Sequence, residues 1–167
     1  VYYLDTREFN DGIALRYRIP STGSCCIYGE ETSFTFPAGT RVWYASGPFQ
    51  YGWIQAYQDR TTDKIENELL APPATFHLPN GMYAAITEAN LFNFHGAVLF
   101  GCKDNRVQFG YVDNKRHLET GVSTGLPAGK YWHAEVRNSP WIVSPRNGYK
   151  EIITPWRILM LSEDLDG

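Results

Sequence analysis

In the stretch Gly81–Leu91 an apolar stripe ends in a carboxylate. Pro79-Asn80-Gly81 supplies a turn, because Asn and Gly accept positive φ readily, and from Met82 onward the residues read as a strand. Met82, Ala84 and Ile86 share one face, and the same parity puts Glu88 on it. Two readings of Glu88 are open. A strand that has reached the rim of its sheet leaves a glutamate in water. A rigid strand end can instead aim a carboxylate at something outside the sheet, such as a metal ion or a sugar hydroxyl.

Other reactive patterns are thin. His77, His95, His117 and His133 lack a spacing that would set two on one metal. No serine sits in a nucleophile elbow, and neither a phosphate-cradling glycine loop nor a dinucleotide fingerprint occurs. A pair of carboxylates can hydrolyse a glycosidic bond, but nothing in the sequence pairs two of them across a cleft. Glu8 and Asp11, flanking Phe9-Asn10, read first as turn and cap chemistry. Trp43, Trp53, Trp132, Trp141 and Trp156 could each stack on a sugar, and each reads first as core. Cys25, Cys26 and Cys102 are an odd set. Adjacent cysteines rarely bridge one another, so free buried thiols are expected, with one bridge from Cys25 or Cys26 to Cys102 as the alternative. No CxxC pair or Cys/His cluster points to zinc.

The elements that position these residues are short strands. The chain has 167 residues, enough for one domain spanning 1–167 with a sizeable core. A net charge of -3, a pI near 5.8 and no Lys/Arg stripe argue against nucleic acid. Aromatic residues make up 15% of the chain, which suits both sheet packing and sugar binding. No apolar run approaches the roughly 20 residues that cross a bilayer. No signal peptide is visible, so the chain is expected to be cytosolic, processed or truncated. Val1-Tyr2-Tyr3-Leu4 opens directly on strand formers, and the expectation is a piece of something longer.

Val1 to Phe9 forms one β-rich run and Asp11-Gly12 separates it from the next. There Ile13, Leu15, Tyr17 and Ile19 alternate with Ala14, Arg16 and Arg18, the clearest period-2 pattern in the chain. Short strands are predicted at Ser33–Phe36, Arg41–Ala45, Ala74–Leu78, Ala97–Cys102, Arg106–Val112, Tyr131–Arg137 and Trp141–Val143. Gln55 to Leu70 is charged and reads as an exposed excursion with one helical turn, ended by Pro72-Pro73. Lys115 to Ala128 reads as a loop. Ile152 to Leu161 is almost continuously apolar, as in a strand buried on both faces, with Pro155 marking a bulge or an edge. Many short strands, regular turns and no amphipathic helix predict an all-β sandwich.

Three segments carry a resemblance. Arg7-Glu8-Phe9-Asn10-Asp11-Gly12-Ile13-Ala14-Leu15-Arg16-Tyr17, Ala84-Ala85-Ile86-Thr87-Glu88-Ala89 and Thr154-Pro155-Trp156-Arg157-Ile158-Leu159-Met160 resemble, in order, three segments of the N-terminal domain of glycoside hydrolase family 97. Ile13 and Leu15 depart from it conservatively, and Gly101 to Gly125 matches no segment. The resemblance implies a β-supersandwich, of the galactose-mutarotase type and here a truncated version. It would pack on a catalytic (β/α)8 barrel of the same polypeptide, in an α-glucosidase or α-galactosidase. It implies that Glu88 is lent to an active-site calcium, the catalytic carboxylates and other ligands lying in the barrel, so this chain alone should bind calcium feebly and be inactive. An oligosaccharide substrate and a periplasmic or secreted location are implied in the same way. Strands missing from the family domain would leave an unpaired edge open to dimerisation. An independent carbohydrate-binding module and a purely structural brace for the barrel are the alternatives.

Overall fold

The computed structural model describes residues 1–23, 25–27, 29–46, 56–92, 94, 96–111, 141–143 and 150–165. The predicted strand at Tyr131–Arg137 and the loop at Lys115–Ala128 lie outside these residues. Within them the chain is all-β: thirteen strands, one 3-10 turn at Thr62–Lys64 and no α-helix. Eleven strands form one curled antiparallel sheet.

The strands are β1 (Tyr3–Phe9), β2 (Gly12–Pro20), β3 (Cys25–Ile27), β4 (Ser33–Thr35), β5 (Arg41–Ser46), β6 (Tyr57–Thr61), β7 (Leu69–His77), β8 (Tyr83–Ala89), β9 (Ala97–Gly101), β10 (Arg106–Tyr111), β11 (Trp141–Val143), β12 (Glu151–Ile153) and β13 (Trp156–Ser162). The main sheet runs β1-β2-β13-β8-β7-β9-β10-β4; β12 joins β2, β5 joins β7, and β6 joins β5. β3 and β11 pair separately.

Local chemistry accounts for the turns. β1 and β2 form a hairpin that closes at Phe9 and Gly12 around Asn10-Asp11. Between β9 and β10, Asp104 and Asn105 both adopt positive φ, and Arg106 N donates to Lys103 O. That is the primed turn a right-twisted hairpin requires, and Asp and Asn tolerate it better than other side chains.

Proline marks irregularities. Between Arg18 opposite Ile153 and Leu15 opposite Arg157, Arg16 and Tyr17 face Thr154, Pro155 and Trp156, so the bulge expected at Pro155 is present. Pro72-Pro73 does not end a segment, as the sequence suggested, but sits inside β7. There Tyr44 faces Pro72, Pro73 and Ala74, a bulge at which proline forfeits no ladder bond. The same bulge separates the half of β7 that pairs with β9 from the half that pairs with β8.

Two further expectations are corrected. The charged excursion after Gln55 contains a strand, β6, paired along β5. Its Asp59 and Arg60 are charges that suit an edge strand, where one side faces water. The Ile152–Leu161 run is not buried on both faces throughout: Ile152 and Trp156 are buried, while Met160 and Leu161 are exposed.

The sheet curls so that opposite walls share one core. Val42 and Tyr44 from β5, Phe76 from β7, Ala84 and Ile86 from β8, Leu99 from β9 and Val107 and Phe109 from β10 pack into a single buried cluster. Phe36 stacks on Phe76 with centroids 4.0 Å apart. Cys102 is buried, with Sγ 3.6 Å from Phe100 O.

On the outer side, Asp5 lies between Arg18 (Nε to Oδ2, 2.8 Å) and Arg16 (Nε to Oδ2, 3.1 Å). The Arg18 hydrogen bond leads in holding its carboxyl below the usual value of 3.8, against desolvation. A depressed folded-state pKa contributes stability above the unfolded value, lost as pH falls through the folded one. Asp5→Asn should therefore cost about 1 kcal/mol near neutral pH, allowing for solvent screening. The gap to wild type should close under acid conditions well below 3.8. Thermal unfolding of both proteins across pH reads this directly, and a pH-independent gap would refute it.

Candidate functional site

Glu88 is where the stripe on β8 ends, and the structure bears out the parity: Ala84 and Ile86 are buried in the core on its face. Ala89 is the last residue of β8, and Asn90 (φ 61°) turns the chain away. Glu88 is not a solvated rim residue. Its side chain is 15% exposed and both oxygens are engaged. Oε2 accepts from Arg157 Nη1 at 2.7 Å, and Oε1 accepts from the backbone N–H of Ala97 at 3.1 Å.

Arg157 comes from β13, directly opposite Glu88 in the ladder. Its side chain is 0% exposed. A guanidinium taken out of water needs hydrogen-bonded counter-charge, and Glu30 supplies it. Arg157 Nε donates to Oε1 at 2.9 Å and Nη2 to Oε2 at 2.6 Å, a bidentate fork. The Arg157 guanidinium also lies 4.9 Å from the centroid of the Phe109 ring. Glu30, 6% exposed, precedes β4 and is held to the opposite wall. Gln108 Nε2 donates to the Glu30 carbonyl at 3.1 Å, and Phe109 N donates to Thr32 O at 2.8 Å. One cation and two anions thus span the curl from β8 and β13 to β10.

The sequence reading named Glu88 but gave Arg157 and Glu30 no role. Arg157 carried a signal: a lone cation between Trp156 and Ile158 in an apolar run demands a buried partner. Glu30, 127 positions away in a polar turn, carried none.

Other candidates divide. Glu8 is exposed on β1, and Asp11 lies in the hairpin turn, where its carbonyl accepts from Leu161 N. His77 stacks on Tyr83 at 4.6 Å; His95, His117 and His133 fall outside the described residues. Trp43 stacks against His77 and Tyr83 beneath Arg41, and Trp156 lies beneath the guanidinium groups of Arg7 and Arg16. Trp53 and Trp132 are outside the described residues.

Calcium takes six to eight oxygens. Among the described residues no three His, Cys, Asp or Glu side chains gather into a metal site. Glu88 fits as one ligand of a shared site: its carboxylate is 15% exposed and held at both oxygens. A carboxylate oxygen has two lone pairs, so one hydrogen bond to each leaves room for a cation. A Cβ built on Gly96 would lie 3.6 Å from Oε1 and 3.7 Å from Leu91, whose side chain is exposed beside the carboxylate.

Among the described residues no helix is long and apolar enough to cross a membrane. A search of curated protein sequences gives no match. Solved structures do match. A glycoside hydrolase family 97 enzyme from Pseudoalteromonas sp. strain K8, in complex with acarbose, is 19% identical with a TM-score of 0.66. An arginine-to-lysine variant from that strain is 20% identical with a TM-score of 0.68, and a glutamate-to-glutamine variant with panose is 19% identical at 0.66. Each match covers 98% of this chain but 21% of the enzyme's, so this chain spans about a fifth of their length. At that identity the likeness establishes a shared fold. The family model described as glycosyl-hydrolase 97 N-terminal matches residues 2–167, and the chain belongs to that family.

Proposed function

We propose that this chain is the non-catalytic β domain of an α-glycosidase, packed on a (β/α)8 barrel of the same polypeptide, to whose active-site calcium Glu88 contributes one carboxylate. The observation that carries the reading is Glu88 itself. It ends an inward-facing apolar stripe, is mostly withdrawn from water, and has both oxygens pinned by donors from its own fold. The exposed Leu91 and Phe92 follow it in the chain, apolar surface suited to being covered by a neighbouring domain. Calcium would supply charge to position the sugar or polarise the water or leaving group; this chain's part is to hold a carboxylate still. Because the similar enzymes were solved with acarbose and panose, oligosaccharides of that kind are the first substrates to test. A periplasmic or secreted location belongs to the same proposal.

The Arg157–Glu88 ion pair favours a second reading, in which Glu88 only braces the curl. Calcium titration calorimetry separates the two. In the complete polypeptide, Glu88→Ala should lose calcium binding and activity while remaining folded, and the 167-residue chain alone should bind calcium feebly. Unchanged calcium binding in Glu88→Ala would leave the brace.

A further inference from the structure

We infer that Arg157 and Glu30 are positioning residues that set the affinity of the calcium site through Glu88; the inference rests on the reading of Glu88 as a calcium ligand. A glutamate at a strand end has several rotamers, and immobilising it at the moment of binding costs affinity. Here the carboxylate is fixed at both oxygens beforehand, by Arg157 at 2.7 Å and by Ala97 N–H at 3.1 Å. Arg157 is itself held by the two-pronged Glu30 contact and the Phe109 ring. Glu30 is fastened by its carbonyl to Gln108 on β10. Position is therefore handed from the far wall of the sheet to the carboxylate.

Charge is arranged in the same sense. A single arginine paired with Glu88 would cancel its charge and repel an approaching cation. Two carboxylates share this guanidinium, so Arg157 does not direct its whole charge at Glu88. Hydrogen-bonded partners of metal ligands act in this way generally, and losing one typically weakens metal affinity by about 10–100-fold.

Two conservative variants of the complete polypeptide test the inference, with Glu88→Gln beside them. Glu30→Gln keeps the volume but turns one of the two acceptors into a donor facing the guanidinium and removes the Glu30 charge, leaving Arg157 to act on Glu88 without it. Arg157→Lys keeps the charge but loses the fork that grips two carboxylates at once. Calorimetry with calcium chloride should show affinity weakened about 10–100-fold in both and lost in Glu88→Gln. Thermal unfolding in excess EGTA reports any purely structural effect separately. Wild-type affinity in folded Glu30→Gln and Arg157→Lys, with calcium lost from Glu88→Gln, overturns the inference and leaves the calcium reading standing. Calcium retained by Glu88→Gln overturns both. Should Arg157→Lys fail to fold, Glu30→Gln decides alone.

Discussion

Arg157→Met should destabilise the 167-residue chain by about 3–5 kcal/mol, the usual result of removing one partner from a buried ion cluster. Methionine fills much of the volume, so lost packing is a minor part. The larger part is electrostatic. Glu30 and Glu88 would remain mostly buried, facing each other's charge without the guanidinium that bonds to both. With a native stability in the usual range of roughly 5–15 kcal/mol, that loss removes a large share of the margin. The melting temperature should fall by on the order of 10 °C. Urea unfolding followed by circular dichroism measures it, and a loss below about 1 kcal/mol would mean that the carboxylates reach water or protons more easily than their burial implies.

Gly101→Ala should be comparably damaging for a purely steric reason. A Cβ at Gly101 would lie 1.8 Å from the carbonyl oxygen of Ile65. The obstacle is backbone, and it is pinned: Glu68 N donates to Ile65 O, Gly101 N to Glu68 O and Asn67 N to Gly101 O, all between 2.9 and 3.0 Å. Ile65 is itself buried in the core, so the segment cannot retreat without opening it. Overpacking commonly costs 1–3 kcal/mol, and more where nothing can yield; a loss of about 3 kcal/mol or more is expected. Gly23→Ala is the matched control, since a Cβ there meets nothing within 4 Å, and it should stay within about 0.5 kcal/mol of wild type. Equal midpoints for the two variants in urea would show that the Ile65 segment moves freely.

What the sequence made legible follows from what local pattern can encode. The alternation from Ile13 to Ile19 is β2, and the Ala84-Ile86-Glu88 parity is the inner face of β8, with Met82 just before the strand, because period 2 is a property of the strand itself. β6 was missed because an edge strand facing water has no apolar alternation to show; Gln58, Asp59 and Arg60 read as a solvated face. Pro72-Pro73 read as a terminator because proline's cost depends on whether its missing N–H had a partner, which only the β7 bulge reveals. The Ile152–Leu161 run looked uniformly buried because hydrophobicity does not say which face is covered. Glu88 could be singled out from its strand alone. Its partner Arg157, and Glu30 that Arg157 also grips, could not be placed beside it, since Arg157 reaches Glu88 and Glu30 across 69 and 127 positions.

The place of β13 between β2 and β8 has a consequence for the order in which the molecule can be made. Among the described strands, the one that joins the first hairpin to the rest of the sheet follows all the others in sequence. Until it arrives, β2 and β8 each present an open hydrogen-bonding edge, and the cation that draws Glu30 to Glu88 does not yet exist. Non-local closure of this kind is slow, and unpaired edges recruit other chains while they wait. Docking of β13 thus closes the sheet between β2 and β8 and completes the ion cluster in one step, so the carboxylate geometry forms together with the sheet.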